Sequence, residues 1–183
     1  VEVVMREYYS ALILAVRALP KPVVAAVHGP AVGVGCSLAL ACDVVVMARS
    51  AYLSLPFVEV GLVPDGGASL LAARRAGGGH AMGMALLTGK LGAERAGAIG
   101  LANEVVDDDA LEERAEEIAR RFATGPAVAL AGTKELLNRA VFAGLAEELD
   151  REAALQGQAS RSEDFAEAVA AFAERRKPEF AGR

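Results

Sequence analysis

Two stretches of the chain combine residue types that could do chemistry, and the first is the glycine-rich turn Ala31–Gly35, which leads into a short apolar segment. A glycine-rich turn at a helix N-terminus presents unpaired backbone N–H groups at the positive end of the helix dipole. Such groups suit a phosphate, a carboxylate or a developing oxyanion. The turn could also serve packing alone. A dinucleotide site is not expected, because Leu38 occupies the position of the third glycine of that fingerprint.

The second stretch is the loop Val63–Gly67, in which Asp65 lies among glycine, proline and apolar residues. A carboxylate there could cap the helix predicted over 68–76. In apolar surroundings it would instead have a raised pKa and could act as a general base. Both interpretations stay open on spacing alone. Glu59 is a second acid nearby, and its direction cannot be read from the sequence.

The order of the elements predicts a mainly parallel α/β layer. A helix is predicted over 3–19, and its apolar stripe consists of Val4, Tyr8, Leu12, Ala15 and Leu19. The apolar run Val23–Val27 is typical of a strand buried on both faces, and His28–Pro30 breaks it. Val44–Met47 predicts a second buried strand and Tyr52–Leu55 a third. Residues 101–106 predict the last strand.

The chain beyond residue 107 is predicted to be helical. Amphipathic spacing indicates helices over roughly 111–122, 126–143, 145–158 and 162–177. The basic cluster Arg175–Lys177 ends the last of them. This cluster could be a solvated helix end, favoured by the dipole, or a phosphate-binding group.

Composition excludes several classes of partner. The 183 residues carry a formal net charge of -5 and no long basic run, so nucleic acid and anionic membrane are not expected partners. The uncharged stretch Pro22–Cys42 is too rich in glycine and proline for a lipid-facing helix. Cys36 and Cys42 match neither a redox motif nor a zinc spacing. Two buried reduced thiols are predicted, which favours a cytoplasmic location.

Three segments resemble the crotonase superfamily, the enoyl-CoA hydratases and isomerases. They are KPVVAAVHGPAVGVGCSLALACDVVVMARSAYLSLPFVEVGLVPDGG, TGKLGAERAGAIGLANEVV and AERRKPEF, and the similarity runs from about Lys21 to the C-terminus. The resemblance implies an α/β fold with a ββα spiral core over 1–125 and a helical trimerisation region over 126–183. It implies acyl-CoA thioester substrates and a homotrimer or a hexamer built as a dimer of trimers. Relatives carry several strands before the helix where this sequence begins, so the upstream part of the core is expected to be absent.

The resemblance also assigns the glycine-rich turn. Family members stabilise a thioester enolate in an oxyanion hole of two N–H groups, one of which falls on Val34, between Gly33 and Gly35. The other is implied to come from an upstream loop. The two glutamates that hold water in hydratases fall on Ser37 and Phe57. Without either carboxylate, ordinary hydration is expected to be severely impaired.

Asp65 matches the acidic position of the isomerase branch, which includes Δ3,Δ2-enoyl-CoA isomerases and the ring-epoxide isomerase of phenylacetate degradation. The resemblance therefore implies an isomerase in which Asp65 is the single acid/base and Phe57 keeps the pocket dry. Arg175 and Lys177 are implied to reach CoA phosphates. Neither a metal nor a cofactor beyond the CoA of the substrate is expected. The alternatives are a hydratase that uses Glu59 and a non-catalytic acyl-CoA-binding protein.

Overall fold

The structure is a computed structural model that describes residues 1–183, and it contains six short strands. They are β1 (Val24–Val27), β2 (Pro30–Val32), β3 (Val44–Ala48), β4 (Tyr52–Ser54), β5 (Leu91–Gly92) and β6 (Glu104–Val106). The helices are α1, made of the consecutive segments Glu2–Val4, Met5–Ser10 (π-helical) and Ala11–Ala18; α2 (Val34–Ala41); α3 (Ala68–Ala76); α4 (Gly78–Met82), which continues as the π-helical turn Gly83–Leu87; α5 (Ala93–Ala98); α6 (Leu111–Ala123); α7 (Ala127–Val141); α8 (Leu145–Ala159); and α9 (Glu163–Glu174). The turns Phe57–Val60 and Asp108–Ala110 are 3₁₀-helical.

The strands form two three-stranded sheets. In the first, β3 lies between β1 and β6, and all three strands are parallel. In the second, β4 pairs in parallel with β2 and antiparallel with β5. This arrangement, together with the helical C-terminal region, confirms the predicted α/β class. The buried strand predicted over 44–47 is confirmed, since Val45, Val46 and Met47 are fully buried.

One detail of the strand predictions is wrong, and one strand was not predicted. β1 is not buried on both faces, because Ala26 is exposed. The break predicted at His28–Pro30 is confirmed, since β1 ends at Val27, and Pro30 then opens the short strand β2. A proline is tolerated there because it is the first residue of an edge strand, where no ladder hydrogen bond needs its missing N–H. β2 then leads directly through Gly33 into α2.

The helix predicted at the start of the chain is present as α1, but its apolar stripe was predicted on the wrong face. Tyr8 and Leu12 are exposed, whereas Met5, Ile13 and Arg17 are buried. Apolar residues occur on nearly all sides of α1, so their spacing cannot select one face. The buried face is the one from which Arg17 reaches the end of α2. The helices predicted after residue 107 are present as α6 to α9.

A buried charge cluster ties α1 and α7 to the loop between α2 and β3. Arg17 Nη1 lies 2.9 Å from Asp43 Oδ1, and Lys134 Nζ lies 2.8 Å from Asp43 Oδ2. The backbone N–H of Val23 also donates to Asp43 Oδ2, at 2.7 Å. Because both cations are buried, the negative charge of Asp43 offsets the free-energy cost of removing them from water.

Two guanidinium groups complete the C-terminal end of α2. Arg17 Nη1 donates to the carbonyl of Ala41 at 2.9 Å, and Arg75 Nε donates to the carbonyl of Leu40 at 2.9 Å. Arg75 also donates to the carbonyl of Cys42. The last carbonyls of a helix lack intrahelical donors and carry partial negative charge, so cations there stabilise it. α2 is thereby fixed at the end remote from the glycine-rich turn.

The predicted state of the two cysteines is confirmed. Cys36 and Cys42 are buried and unpaired, and burial raises the pKa of the Cys36 thiol to about 12. Among the helices, none has the length and apolar character needed to cross a bilayer.

The charge cluster generates a stability prediction. Asp43→Ala leaves Arg17 and Lys134 buried without a counter-charge, so the free energy of unfolding should fall by about 3–5 kcal/mol in urea denaturation. The matched control is Glu94→Ala, which breaks an exposed ion pair with Arg49 and should cost less than about 1 kcal/mol. Equal losses in the two variants would contradict the role given to Asp43.

Candidate active site

The glycine-rich turn has a backbone conformation that requires glycine. Gly33 adopts φ 58° and ψ -127°, a backbone conformation that residues with a Cβ rarely adopt. Its N–H donates to the carbonyl of Ser54 at 3.0 Å, and its carbonyl accepts the N–H of Ser37 at 3.1 Å. Val34 is the first residue of α2, so its N–H has no intrahelical acceptor. The glycine-rich turn therefore opens a helix, as the sequence predicts.

The loop Val63–Gly67 packs directly against this turn at Gly66. Gly66 adopts φ +64°, and a Cβ built there would lie 2.9 Å from Ser37 Cβ and 3.5 Å from Val34 Cγ2. Ser37, which is fully buried, donates its hydroxyl to the carbonyl of Asp65 at 2.7 Å. The structure thus brings Asp65 and the Val34 end of α2 together across one glycine.

The Asp65 side chain is buried and unusually poor in partners. Its Oδ2 accepts a hydrogen bond of 3.0 Å from Gln156 Nε2, while its Oδ1 is buried with no hydrogen-bond partner. Burial raises the pKa of the Asp65 carboxyl above its ordinary value, and the hydrogen bond from Gln156 lowers it in part. A carboxylate with a raised pKa and one unpartnered oxygen has the properties of a general base.

The structure rejects the alternative in which Asp65 caps α3. The N-cap of α3 is Gly67, and no side chain of its own loop supplies the cap hydrogen bond. Glu152 supplies it from α8: its carboxylate accepts the N–H of Gly67 at 2.6 Å and the N–H of Ser69 at 3.2 Å. The Asp65 carboxylate is consequently free of a capping role.

Sequence reasoning missed the residues on α8 that hold this loop. Glu148, Glu152 and Gln156 are spaced by four residues and therefore lie on one face of the helix. All three bond to the loop or to the start of α3. Burial raises the pKa of Glu152 to about 7, although hydrogen bonds from Ser69 and Gly67 lower it. The signal that could have found them is this regular polar spacing within an amphipathic helix.

Phe57 and Glu59 lie on the same 3₁₀ turn but in different surroundings. Phe57 is buried, and its ring lies beside the glycine-rich turn, since a Cβ on Gly33 would be 3.6 Å from Phe57 Cζ. Glu59 is exposed and accepts a hydrogen bond from the hydroxyl of Thr88. The ring therefore borders the turn that carries Val34, and Glu59 lies at the surface.

Arg175 and Lys177 lie apart from this site. They follow α9, are exposed, and form no side-chain hydrogen bond or ion pair, whereas Arg176 between them pairs with Glu167. α9 begins against the 3₁₀ turn, because a Cβ on Gly61 would be 3.1 Å from a backbone atom of the helix. Since α9 has 12 residues, it carries the basic cluster roughly 18 Å along its axis.

Comparison with known proteins agrees with the fold. The family model for enoyl-CoA hydratase/isomerase matches residues 2–183. The chain is 43% identical over 182 residues to a probable enoyl-CoA hydratase of Rhodobacter capsulatus, covering 100% of this chain and 71% of that protein. It is 42% identical over 179 residues to the 1,2-epoxyphenylacetyl-CoA isomerase of Escherichia coli, covering 98% of this chain and 68% of that protein.

Solved structures show the same relationship. The crystal structure of an enoyl-CoA hydratase from Mycobacterium avium subsp. paratuberculosis K-10 aligns with a TM-score of 0.91 and 46% identity, covering 94% of this chain and 70% of that one. The chain therefore belongs to the enoyl-CoA hydratase/isomerase family of acyl-CoA enzymes. The resemblance to the crotonase superfamily is confirmed.

The buried Glu152 predicts a pH-dependent stability. Its pKa is raised from 4.5 to about 7, so the folded protein binds this proton more tightly than the unfolded chain does. The free energy of unfolding should therefore fall as the pH rises through that window and become level above it. The wild type should lose roughly 3 kcal/mol more than Glu152→Gln across the window in urea denaturation.

The control for this prediction is Glu147→Gln, which changes an exposed carboxylate on the same helix and should leave the pH dependence as in the wild type. An equally steep fall in Glu152→Gln would show that Glu152 does not titrate in this way.

Proposed function

We propose that this protein is an enoyl-CoA isomerase that moves a double bond through a thioester enolate, with Asp65 as its single acid/base. The observation that carries the proposal is the position of a buried, partly unpartnered carboxyl on a loop that packs against the N-terminal part of α2. Gly66, the next residue, makes this contact: a Cβ built on it would lie 2.9 Å from Ser37 Cβ and 3.5 Å from Val34 Cγ2. A base held near an N–H donor suits removal of a proton beside a carbonyl.

In the proposed reaction, the thioester oxygen of a 3-enoyl-CoA accepts a hydrogen bond from the N–H of Val34. Asp65 removes a proton from the carbon between the carbonyl and the double bond, and the negative charge moves to the oxygen. Asp65 then returns the proton to the far carbon of the allylic system. One oxyanion donor is worth roughly 3 kcal/mol of transition-state stabilisation. Gly33 and Gly35 leave room for the thioester to approach the backbone.

The same residues argue against hydration. By the family resemblance, two glutamates would have to hold the attacking water at positions 37 and 57. Ser37 instead uses its hydroxyl to bond the Asp65 backbone, and Phe57 presents an apolar ring beside Gly33. Neither position supplies a carboxylate with which to activate water, and Glu59 is exposed at the surface.

A hydratase that uses Glu59 is the second candidate. It is favoured by the R. capsulatus relative, which is called a probable enoyl-CoA hydratase at 43% identity. The E. coli relative at 42% identity is called an isomerase, so similarity alone does not separate the two chemistries. The isomerase proposal is supported instead by the site, where Asp65 is buried and Glu59 is exposed.

The proposal extends to how substrate and subunits are held. Arg175 and Lys177 are unpaired cations, and we expect them to bind phosphates of CoA. Apolar side chains at Met82, Leu87 and Phe172 are exposed in the single chain, which favours burial in a homotrimer or a hexamer made of two trimers. Sedimentation equilibrium of the full-length protein tests that assembly, and a monomer would contradict it.

Replacement of Asp65 tests the proposed function. Asp65→Asn keeps the shape of the side chain but cannot take up the proton, so kcat for isomerisation of a 3-enoyl-CoA should fall about 10²–10⁴-fold in the full-length protein. The Kd for an acyl-CoA, measured by calorimetry, should change little.

Glu59→Gln is the matched control and should retain isomerisation. Turnover that survives in Asp65→Asn and disappears in Glu59→Gln would instead support the hydratase. Acyl-CoA binding without turnover in the wild type would support a non-catalytic family member.

A further inference from the structure

We propose that Gln156 is a positioning residue for Asp65: it holds one carboxylate oxygen and leaves Oδ1 as the oxygen that takes and returns the proton. This inference rests on the proposed function of Asp65. It extends that function to α8, a helix of the C-terminal region in which the sequence predicted no site residue.

The orientation of the Gln156 amide follows from its two partners. Gln156 is fully buried, and its Oε1 accepts the backbone N–H of Val63 at 3.0 Å. Because that backbone group can only donate, the amide oxygen must face it and the NH₂ group must face Asp65. The NH₂ group then donates to Asp65 Oδ2 at 3.0 Å. One side chain thus fixes both the start of the loop and the carboxyl that the loop carries.

The two oxygens of Asp65 are therefore not equivalent. Oδ2 is held by Gln156, whereas Oδ1 is buried with no hydrogen-bond partner. A buried acceptor without a donor is costly and calls for a reason. An oxygen that must collect a proton from carbon needs this freedom, because a donor bound to it would block approach and reduce its basicity. The unpartnered atom is accordingly assigned as the reacting one.

A second contact fixes the backbone of the same residue. Ser37 donates its hydroxyl to the Asp65 carbonyl at 2.7 Å. The main chain is thus tied to α2, which carries Val34, and the side chain is tied to α8. With both attachments, the plane of the carboxyl cannot rotate freely relative to the oxyanion donor. Small misplacements of a base can cost large factors in rate, so this constraint is functional.

The charged groups near Asp65 favour a neutral holder. Glu152 lies one turn before Gln156 on α8 and bonds Gly67 and Ser69, and Glu148 also bonds Ser69. No arginine, lysine or histidine bonds to Asp65. A cation at position 156 would form an ion pair and hold the carboxylate ionised. The amide instead orients the carboxyl while leaving it able to bind a proton.

The first test measures the carboxyl itself. The pKa of Asp65 is read by ¹³C NMR of the full-length protein, and its signal is assigned by its absence in Asp65→Asn. Gln156→Met keeps the length of the side chain but cannot donate, so the pKa of Asp65 should rise. Gln158→Met changes an exposed glutamine on the same helix and should leave it unchanged. The same titration in both variants would overturn the inference.

The second test separates positioning from support of the loop. Gln156→Met should lower kcat roughly 10- to 100-fold with little change in KM, and Gln158→Met should not. Gln156→Glu keeps an acceptor for Val63 and faces Asp65 with a second carboxyl. When the introduced carboxyl and the Asp65 carboxyl share a proton, the hydrogen bond between them is restored. When both are ionised, the two carboxylates repel each other. The kcat of Gln156→Glu should therefore fall as the pH rises.

A role confined to holding Val63 predicts that kcat of Gln156→Glu follows the wild-type pH profile, and that result would overturn the inference. Gln156→Glu also carries the test if Gln156→Met does not fold. Failure of the proposed function looks different: isomerisation would then survive in Asp65→Asn. Loss in Asp65→Asn with wild-type kinetics in both Gln156 variants would overturn the inference on Gln156 alone.

Discussion

The burial of one carboxyl group between two helices is the constraint on which the rest of the site depends. An acceptor oxygen without a donor costs about 1–3 kcal/mol, and the surrounding contacts must offset that cost. Asp65 Oδ1 is such an atom. The compensation comes from the polar face of α8, which satisfies Oδ2, the backbone of Val63 and the start of α3. The C-terminal region therefore forms part of the site, because α8 holds the loop that carries the proposed base.

A second set of contacts fixes α2, the other helix that contacts the Asp65 loop. Its glycine-rich N-terminal turn carries Val34, and its C-terminal carbonyls are satisfied by Arg17 and Arg75. Arg17 is in turn paired with Asp43. The helix dipole is thus complemented by cations at one end and left open to a developing negative charge at the other. A donor mounted on a fixed helix loses little free energy to reorganisation when the charge forms.

The parts of the molecule that depend on local pattern could be predicted from the sequence. Val44–Met47 is a buried apolar run and forms the central strand, and the glycine-rich turn precedes α2. Asp65 stood out because its loop is apolar. Its partner could not be predicted, since Gln156 is 91 residues away. The regular spacing of Glu148, Glu152 and Gln156 marks a polar face of α8 but does not indicate what that face contacts. The spacing also allowed Asp65 to cap α3, but Glu152 supplies that cap. This contact is likewise remote in sequence and could not be predicted from local pattern.

Product analysis in isotopically labelled water tests the central claim, that Asp65 shifts a double bond without the addition of water. The full-length protein is incubated with a 3-enoyl-CoA and separately with a 2-enoyl-CoA, and the products are identified by mass spectrometry and NMR. An isomerase with Asp65 as its base should interconvert the two isomers with no gain in mass equal to a water molecule. Conversion of the 2-enoyl-CoA to a product heavier by one labelled water would contradict this role of Asp65.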